Sequence, residues 1–308
     1  MALLPRESIE TFILRNFQGF LQFQYLAHRK KKTAPTLMLK KFMALWLCSS
    51  VRALQFVPGP RLVIEVGRSR MLGSSGLASA DKEILFIRHG RSEMNEHNHQ
   101  PGKQWGAHSF VDPGLFDTRL SPRGVAQAKR LGRSFLEADP CVDLLCSSPL
   151  TRALQTATHV FDSGRVSPKK RAVVSPLCAE RVYLSSEVGR LHPELALEFP
   201  GFDYSTVAGG PWWYEGHATP EAHNDWRPMG KYLCHGEPFP TFTSRLELFK
   251  EWLVAQPERR IAVVSHWGVI HALTGRSAGN CEVVQQNLNE LLARPMREAT
   301  EDEIALSD

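Results

Sequence analysis

The sequence predicts an α/β protein with a three-layer architecture: a wound, mostly parallel sheet with helices on both faces. Three short apolar runs, at residues 143–147, 172–175 and 261–265, have the length and flanks of buried strands. Segments of helical character at about 150–160 and 243–255 lie between such runs. Because strands that alternate with helices pair in parallel, this order favours one sheet covered on both faces.

Two further elements extend this pattern. The apolar residues 83–86 predict another strand, which ends where Arg88 and His89 enter a loop. Ser121 followed by Pro122 predicts a helix start, because Ser caps helix N-termini and Pro suits the first turn. Apolar residues then recur at three- and four-residue steps as far as Phe135. We therefore expect a strand and a helix on either side of the loop.

The chain is organised as one domain with flanking segments. Its 308 residues are 43% hydrophobic, and about 200 residues are enough for one α/β domain. We place the domain at residues 82–290. A basic leader at 1–66 and a Gly/Ser-rich linker at 67–81 precede it, and an acidic tail at 291–308 follows. From residue 298 onward we expect this tail to be disordered.

The leader carries the excess of positive charge. Residues 1–80 contain 12 Lys and Arg against 3 Asp and Glu, whereas the remaining residues contain 25 against 29. An acid-poor, basic N-terminus is typical of organellar transit peptides and indicates a plastid or a mitochondrion. A translation start at Met38, Met43 or Met71 is the alternative, and it would favour a cytoplasmic protein.

Composition argues against several classes of function. Because the positive charge belongs to the leader, nucleic-acid binding by the domain is not indicated. The apolar stretch at 42–51 is too short for a transmembrane helix of about 20 residues, so we expect no membrane span. The six cysteines form no Cys-x-x-Cys pair and indicate reduced, packed residues. The run Glu-His-Asn-His at 96–99 lacks the His spacing of a metal-binding helix.

The loop that begins Arg88-His89-Gly90 has the chemistry of a phosphate site. Ligand sites of α/β proteins lie where strands run out into loops. An Arg can bind two oxygens of one phosphoryl group, and a neutral imidazole supplies a nucleophilic nitrogen. Gly90 allows the backbone to approach an anion closely. The tripeptide alone is also compatible with a surface turn, so its partners further along the chain decide the matter.

Those partners resemble the signatures of the histidine phosphatase superfamily, in its phosphoglycerate mutase-like branch. Residues 146–157 contain Ser-Pro-Leu-Thr-Arg-Ala-Leu-Gln-Thr-Ala, similar to the second signature, with its Arg at Arg152. Residues 261–270 are similar to the third signature, a buried strand that ends in Ser-His-x-Gly, with its His at His266. Glu180 stands at the position of the proton-donor carboxylate. The resemblance covers roughly residues 82–285, and the segment from 187 to Trp213 resembles plant and fungal members.

The resemblance implies a phosphohistidine mechanism. His89 attacks phosphorus, and Glu180 protonates the leaving alkoxide and then deprotonates the attacking water, for which its pKa should be raised. His266 is the second catalytic histidine of the pocket. Arginines neutralise the phosphoryl charge, so neither a metal nor a cofactor is expected. The implied phosphate-binding residues are Arg88, Asn95, Arg152 and His266.

The expected activity is hydrolysis of a small phosphorylated substrate by a histidine acid-type phosphatase. A phosphoglycerate mutase is the first alternative, but such enzymes normally carry Gly-Trp after the first motif and Tyr-Gly-x-Leu-x-Gly-x-Asn-Lys near the acid, and neither is present. An inactive scaffold of the same fold is the second, and it is disfavoured because the core positions keep their expected residue types. The family often forms dimers, so a homodimer stays open.

Some neighbouring residues have two interpretations. Arg91, Arg181 and Arg190 either extend the basic pocket or are ordinary surface charges. The insertion at 200–237, which contains Trp212-Trp213, forms either a lid over the pocket or a hydrophobic cluster that pins a long loop. Taken without the other signatures, His266 could be a strand-end histidine with a structural partner. Glu180 is either the proton donor or a solvated residue before a loop, and three residues of the same type lie close by, namely Glu187, Glu194 and Glu198.

Overall fold

The structure is a computed structural model that describes residues 82–105, 107–138, 142–161, 172–207, 209–216 and 231–305. The predicted leader and linker lie outside the described residues, as does most of the second half of the insertion. The division of the chain into leader, linker, domain and tail therefore stays a prediction.

Within the described residues, five strands form one sheet in the order β3-β2-β4-β1-β5. Strands β1 to β4 pair in parallel, and β5 joins the edge antiparallel to β1. The four parallel strands are those that the sequence predicted, whereas β5 was not predicted. Their bounds are β1 (Glu83–Arg88), β2 (Leu144–Ser147), β3 (Ala172–Val174), β4 (Arg260–Ser265) and β5 (Val283–Asn287).

Helices fill the connections between the strands. The helix predicted at 243–255 begins earlier, at residue 239, because Pro240 fits the first turn, where a missing N–H has no cost. Short 3-10 turns lie at Pro176–Cys178 and Ser185–Glu187. The helices are α1 (Glu93–Asn98), α2 (Pro122–Ala138), α3 (Thr151–Phe161), α4 (His192–Glu198), α5 (Phe239–Ala255), α6 (Trp267–Thr274), α7 (Leu288–Ala293) and α8 (Glu301–Ala305).

The sheet separates two hydrophobic cores, as a three-layer fold requires. Successive side chains of a strand point to opposite faces. In β1, Ile84 and Phe86 pack with α5, α6 and α7, whereas Leu85 and Ile87 pack with α2 and α3. All four side chains are buried. The structure thus confirms the predicted α/β fold, with a mostly parallel sheet and helices on both faces.

The described part of the insertion is pinned to the domain. Trp212 packs against the cluster that includes Leu195 of α4, and its indole N–H donates to the carbonyl oxygen of Arg190 at 2.8 Å. Trp213 meets it edge-on, with ring centroids 5.3 Å apart. A Cβ at Gly189 would lie 2.0 Å from the Trp212 ring, so only glycine permits this packing. These contacts favour the pinning interpretation for residues 209–216; His217, His223 and Trp226 lie outside the described residues.

The C-terminal tail is ordered as far as residue 305, so the expectation of disorder from residue 298 was wrong there. Glu298 forms an ion pair with Arg181 at 2.9 Å, and Glu303 forms one with Arg297 at 2.7 Å. Ile304, in α8, packs against an apolar cluster of the domain. The acidic composition indicated disorder, but Glu298 and Glu303 form ion pairs with arginines and Ile304 contacts an apolar surface.

Two predictions from composition can be compared with the structure. No helix among the described residues is both long enough and apolar enough to cross a membrane. Of the cysteines in the described ranges, Cys146 and Cys178 are buried and Cys234 and Cys281 are partly buried, and the reduced state expected of them stays a prediction.

Candidate active site

The carboxyl ends of three adjacent parallel strands meet at one edge of the sheet, where α/β proteins bind ligands. Arg88 at the end of β1 is in register with Ser265 at the end of β4, and Ser147 ends β2 beside Val264. Three signatures that are far apart in the sequence are thereby brought together. The loops that follow these strands begin with His89, His266 and Ser148.

His89 is held as a neutral imidazole whose in-plane lone pair lies on Nε2. Its Nδ1 lies 2.7 Å from the carbonyl oxygen of Gly90, and because a carbonyl only accepts, Nδ1 carries the proton. Nε2 accepts from the Nε–H of Arg152 at 3.3 Å. Burial, followed by the charges of Arg152 and Arg88, holds the pKa of His89 well below its usual value. This arrangement suits a nucleophile.

The loop that carries His89 is fixed by close backbone packing. The Gly90 N–H donates to Oγ1 of Thr156 in α3 at 3.0 Å, which ties the first signature to the second. A Cβ at Gly90 would lie 2.7 Å from the carbonyl oxygen of Gly124 in α2. The glycine of the Arg-His-Gly loop is therefore required by this approach of helix α2.

Arg152 enters the site from the first turn of α3. Its Nη1 donates to the carbonyl oxygen of Ser186 at 2.7 Å, and its Nη2 lies 3.4 Å from Oε1 of Glu187. Asp117 caps the same helix, since its carboxylate accepts from the Thr151 N–H at 2.8 Å and the Thr151 hydroxyl at 2.5 Å. The buried guanidinium is thus aimed by a capped helix and by the turn at 185–187.

Arg88 and Asn95 also line the site. Arg88 is buried, and its Nη1 donates to the carbonyl oxygen of Ala278 at 2.9 Å. Asn95 is the third residue of α1, where it forms a capping box with Ser92. Its side-chain oxygen accepts from the Ser92 N–H at 3.0 Å, so the group with which Asn95 can donate to an anion is its amide nitrogen.

His266 lies deeper than His89. It is fully buried, its Nε2 lies 2.7 Å from the Ser148 hydroxyl, and its ring centroid is 5.1 Å from that of His89. Burial and the charge of Arg152 hold its pKa well below the usual value. His266 contacts the nucleophile but does not line the open pocket, so its direct bond to phosphate stays a prediction.

Glu180 is fixed by two backbone N–H groups. Oε1 accepts from Arg181 at 2.8 Å, and Oε2 accepts from Gly268, in the first turn of α6, at 3.0 Å. Burial raises the pKa of Glu180 even though both hydrogen bonds favour the charged form. A Cβ at Gly268 would lie 2.4 Å from Oε1 of Glu180, so the third signature's glycine makes room for this carboxylate.

A second carboxylate was not predicted. Glu187 is buried rather than solvated, and it accepts from the Ser186 hydroxyl and the Leu184 N–H, both at 2.6 Å. Burial raises its pKa to about 6, with a further contribution from the charge of Glu180, against the opposing effect of Arg152. Only the 3-10 turn at Ser185–Glu187 folds this residue back into the site, and no local pattern in the sequence signals that turn.

These groups line an open pocket of about 600 Å³, a volume that includes the solvent at its mouth. His89 and Glu180, the predicted nucleophile and acid, both line it. Five of the six predicted site residues therefore line one pocket. His266 lies behind the pocket surface, where its ring contacts that of His89. The five are Arg88, His89, Asn95, Arg152 and Glu180.

The three outer arginines do not extend the pocket. Each is held in an ion pair, with nitrogen to oxygen distances of 2.8 to 2.9 Å, and none lines the pocket. Arg91 and Arg181 are buried, so they fit neither interpretation of the sequence, and Arg190 alone is partly exposed. The pairs are Arg91 with Glu96, Arg181 with Glu298, and Arg190 with Asp117.

No group of three or more His, Cys, Asp or Glu side chains is arranged to hold a metal in the part of the chain that the structure describes. The positive charge that the described pocket offers to a phosphoryl group comes from Arg88 and Arg152.

Comparison with known proteins connects this pocket to a family. The model of the histidine phosphatase superfamily (branch 1) matches residues 84–200. A 2,3-bisphosphoglycerate-dependent phosphoglycerate mutase of Leifsonia xyli subsp. xyli is 40% identical over 86 residues, which cover 28% of this chain and 30% of that protein. The chain thus spans less than a third of the length of this relative.

Two longer matches cover most of the domain. A phosphoglycerate mutase-like protein of Arabidopsis thaliana is 26% identical over 229 residues, covering 65% of this chain and 76% of that protein. The crystal structure of an alpha-ribazole phosphatase from Shigella flexneri is 25% identical, with a TM-score of 0.39, over 68% of this chain and 83% of that one.

Proposed function

The chain belongs to the histidine phosphatase superfamily, and from that premise we propose that it is a metal-independent phosphomonoester hydrolase. The observation that carries the proposal is the geometry of His89. Its Nδ1 proton is fixed on the Gly90 carbonyl, its Nε2 lone pair lies beside Arg152, and its lowered pKa keeps the ring neutral. These are the properties of a nucleophile, and the acid Glu180 lines the same pocket.

In the first step, the Nε2 lone pair of His89 forms a bond to phosphorus while the bond from phosphorus to the ester oxygen breaks. Glu180, whose protonated form burial favours by raising its pKa, gives its proton to the departing alkoxide. Arg88 and Arg152 neutralise the charge on the phosphoryl oxygens. To do so, Arg152 exchanges contacts with Glu187 and His89 for contacts with phosphate.

In the second step, the Glu180 carboxylate takes a proton from water, and the resulting hydroxide attacks phosphorus. The bond between phosphorus and Nε2 breaks, inorganic phosphate leaves, and Glu180 is protonated again. The Nδ1 proton remains hydrogen-bonded to the Gly90 carbonyl oxygen throughout, and this hydrogen bond stabilises the positive ring of the phosphohistidine. Because the ring is positive, neutral imidazole is a good leaving group when water attacks. The proposed steps use only side chains and water.

A mutase is the second candidate, because short matches such as the Leifsonia protein bear that name. A mutase would pass the phosphoryl group from His89 to a second hydroxyl of phosphoglycerate instead of to water. The sequence lacks the two mutase segments described above, which supports hydrolysis. The raised pKa of Glu180, whose protonated form the first step requires, supports the acid-type assignment of the proposed phosphatase.

The test is phosphate release by the full chain in the presence of EDTA, from phenyl phosphate, phosphoglycerates, sugar phosphates and nucleotides. We expect turnover, and a loss on the order of 10⁴-fold in His89→Ala. Interconversion of phosphoglycerates without phosphate release would favour the mutase. No activity in either assay would favour an inactive scaffold. Turnover that is lost when EDTA is added, or that is retained by the His89→Ala variant, would overturn the mechanism.

A further inference from the structure

The pocket has a charged part and an uncharged part. Its charged side chains are Arg88, Arg152, Glu180 and Glu187, all of which take part in the phosphoryl chemistry or contact a residue that does. The remaining lining side chains are neutral, and most are apolar or aromatic. They include Met94, Trp105, Tyr183, Leu184, Trp267 and Ile304.

The uncharged part of the pocket is formed by side chains that pack against one another. Met94, Trp105 and Leu184 are buried members of one apolar cluster, against which Tyr183 and Ile304 pack. The Trp105 and Tyr183 rings meet edge-on with centroids 6.0 Å apart. Because these side chains are held by one another, they form a fixed platform for the alcohol part of a substrate.

Hydrogen bonds orient two of the aromatic side chains, Tyr183 and Trp267. The Tyr183 hydroxyl accepts from Nη1 of Arg181 at 3.1 Å, and burial raises its pKa, so it remains a phenol. The Trp267 indole N–H donates to Ser277 at 2.9 Å, and its ring stacks on His271 with centroids 4.9 Å apart.

An anionic alcohol part would find no cation in the described pocket. Arg88 and Arg152 serve the phosphoryl group. Arg181 lies behind the pocket-lining Tyr183, whose hydroxyl it contacts at 3.1 Å, and is paired with Glu298, while Arg190 is paired with Asp117. A carboxylate would instead lie near Glu180 and Glu187 or against the apolar platform, where an unpaired charge is costly. An apolar group there would gain roughly 25 cal/mol for each Å² that it removes from water.

We propose that the substrates are phosphate monoesters whose alcohol part is uncharged and mainly apolar, with an aromatic group the best fit to the platform. This inference rests on the proposed function, because it assigns the Arg88 and Arg152 end of the pocket to the phosphoryl group. It excludes phosphoglycerates and nucleotides as preferred substrates.

Binding of two non-hydrolysable phosphonates tests the proposal without turnover. The full chain is titrated with alkylphosphonates of equal chain length that end in either a phenyl group or a carboxylate. We expect the phenyl compound to bind at least about tenfold more tightly, since about 1.4 kcal/mol is enough for that ratio. Equal affinity, or tighter binding of the carboxylate, would overturn the proposal.

Three variants localise the effect. Trp105→Ala should reduce the phenyl over carboxylate affinity ratio about tenfold, in the range of a lost aromatic contact. Because Trp105 is also a core residue, Ile304→Lys provides a second variant at a half-buried position. This variant adds a cation and should raise affinity for the carboxylate compound several-fold. Trp213→Ala is the matched control outside the pocket and should leave the ratio unchanged.

Hydrolysis of matched esters separates this proposal from the function. 2-Phenylethyl phosphate and 3-phosphoglycerate are both esters of primary alcohols, so their intrinsic reactivities are similar. A phenyl preference in binding without hydrolysis of either ester would retain the substrate class and overturn the hydrolase. Hydrolysis with a preference for 3-phosphoglycerate would retain the hydrolase and overturn the substrate class.

Discussion

Single side chains of the site are tuned by their immediate neighbours. The Gly90 carbonyl selects the tautomer of His89, and nearby arginines keep its ring neutral. Glu180 and Glu187 are shifted in the opposite sense, because burial favours the protonated form of a carboxyl. Neutral His89, the proposed nucleophile, and protonated Glu180, the proposed acid, can therefore coexist in one pocket at mildly acidic pH.

Glu187 should set the pH range of Glu180. The two carboxylates repel each other, so Glu187→Gln lowers the pKa of Glu180, which must be protonated in the first step. The fall of kcat/KM with rising pH should therefore move to lower pH in the variant. The measurement is a pH profile of kcat/KM for one ester. Glu194→Gln, an exposed change of the same kind, is the control, and an unmoved falling limb would contradict the prediction.

The same change should affect stability with a defined sign. Glu187 has a folded pKa of about 6, above its usual value, so the folded state holds this proton more tightly than the unfolded state. Wild-type stability is therefore lost as pH rises from about 4.5 through 6, by about 2 kcal/mol. Glu187→Gln should remove this loss, so that the variant gains on wild type between pH 4.5 and pH 8. Urea unfolding at both pH values measures the difference, and a constant difference would contradict it.

Helix termini position the functional groups. The N-terminus of α3, capped by Asp117, presents Arg152, and the N-terminus of α6 donates the Gly268 N–H to Glu180. Arg152 is thus carried by a helix N-terminus, and Glu180 is held by another. Substitutions at such termini should alter catalysis more than stability.

Gly268→Ala tests this dependence. The new methyl group would lie 2.4 Å from Oε1 of Glu180 and must displace it. Because misplacing a general acid costs about 10²–10⁴-fold in rate, kcat should fall by that amount, with little change in affinity for the phenyl phosphonate. Gly201→Ala is the control, since no atom lies within 4 Å of its added Cβ. A Gly268→Ala enzyme with wild-type kcat would show that Glu180 is not the acid.

The elements were predictable where their signals are local. The parallel strands of the inner sheet are short apolar runs, and the Ser-Pro start of α2 is a cap that the sequence shows directly. Strand β5 was missed because it reads Val-Val-Gln-Gln-Asn, and an edge strand exposed on one side needs few apolar residues. The turn at Ser185–Glu187 was missed because it is held in part by long-range contacts, of Glu187 with Arg152 and of Ser185 with Asp112.

At the scale of the molecule, the pocket joins segments from the whole domain. The proposed phosphate end was predictable, because Arg88, His89 and Arg152 lie in short sequence signatures that resemble those of a known family. The platform was not, since Trp105 precedes the second signature by about 40 residues and Ile304 lies in a tail expected to be disordered. Distances between such segments depend on packing, which the sequence pattern does not encode locally.

Removal of residues 298–308 should open the platform. The truncation deletes Ile304 from the pocket wall and frees Arg181 from Glu298. We expect the phenyl over carboxylate affinity ratio to fall several-fold, because apolar contact is lost and a cation becomes available nearby. Titration with the two phosphonates measures the ratio, and a chain lacking only residues 306–308 is the control. An unchanged ratio would show that α8 is not part of the platform.

The most direct test of the account is to trap the covalent intermediate. Glu180→Gln, reacted with an aryl phosphate whose leaving group needs no proton, should form phosphohistidine faster than water can remove it. Alkaline quenching and mass spectrometry, with EDTA present throughout, should then find a phosphoryl group on Nε2 of His89. Continued turnover with no adduct, or an adduct on another residue, would contradict the mechanism.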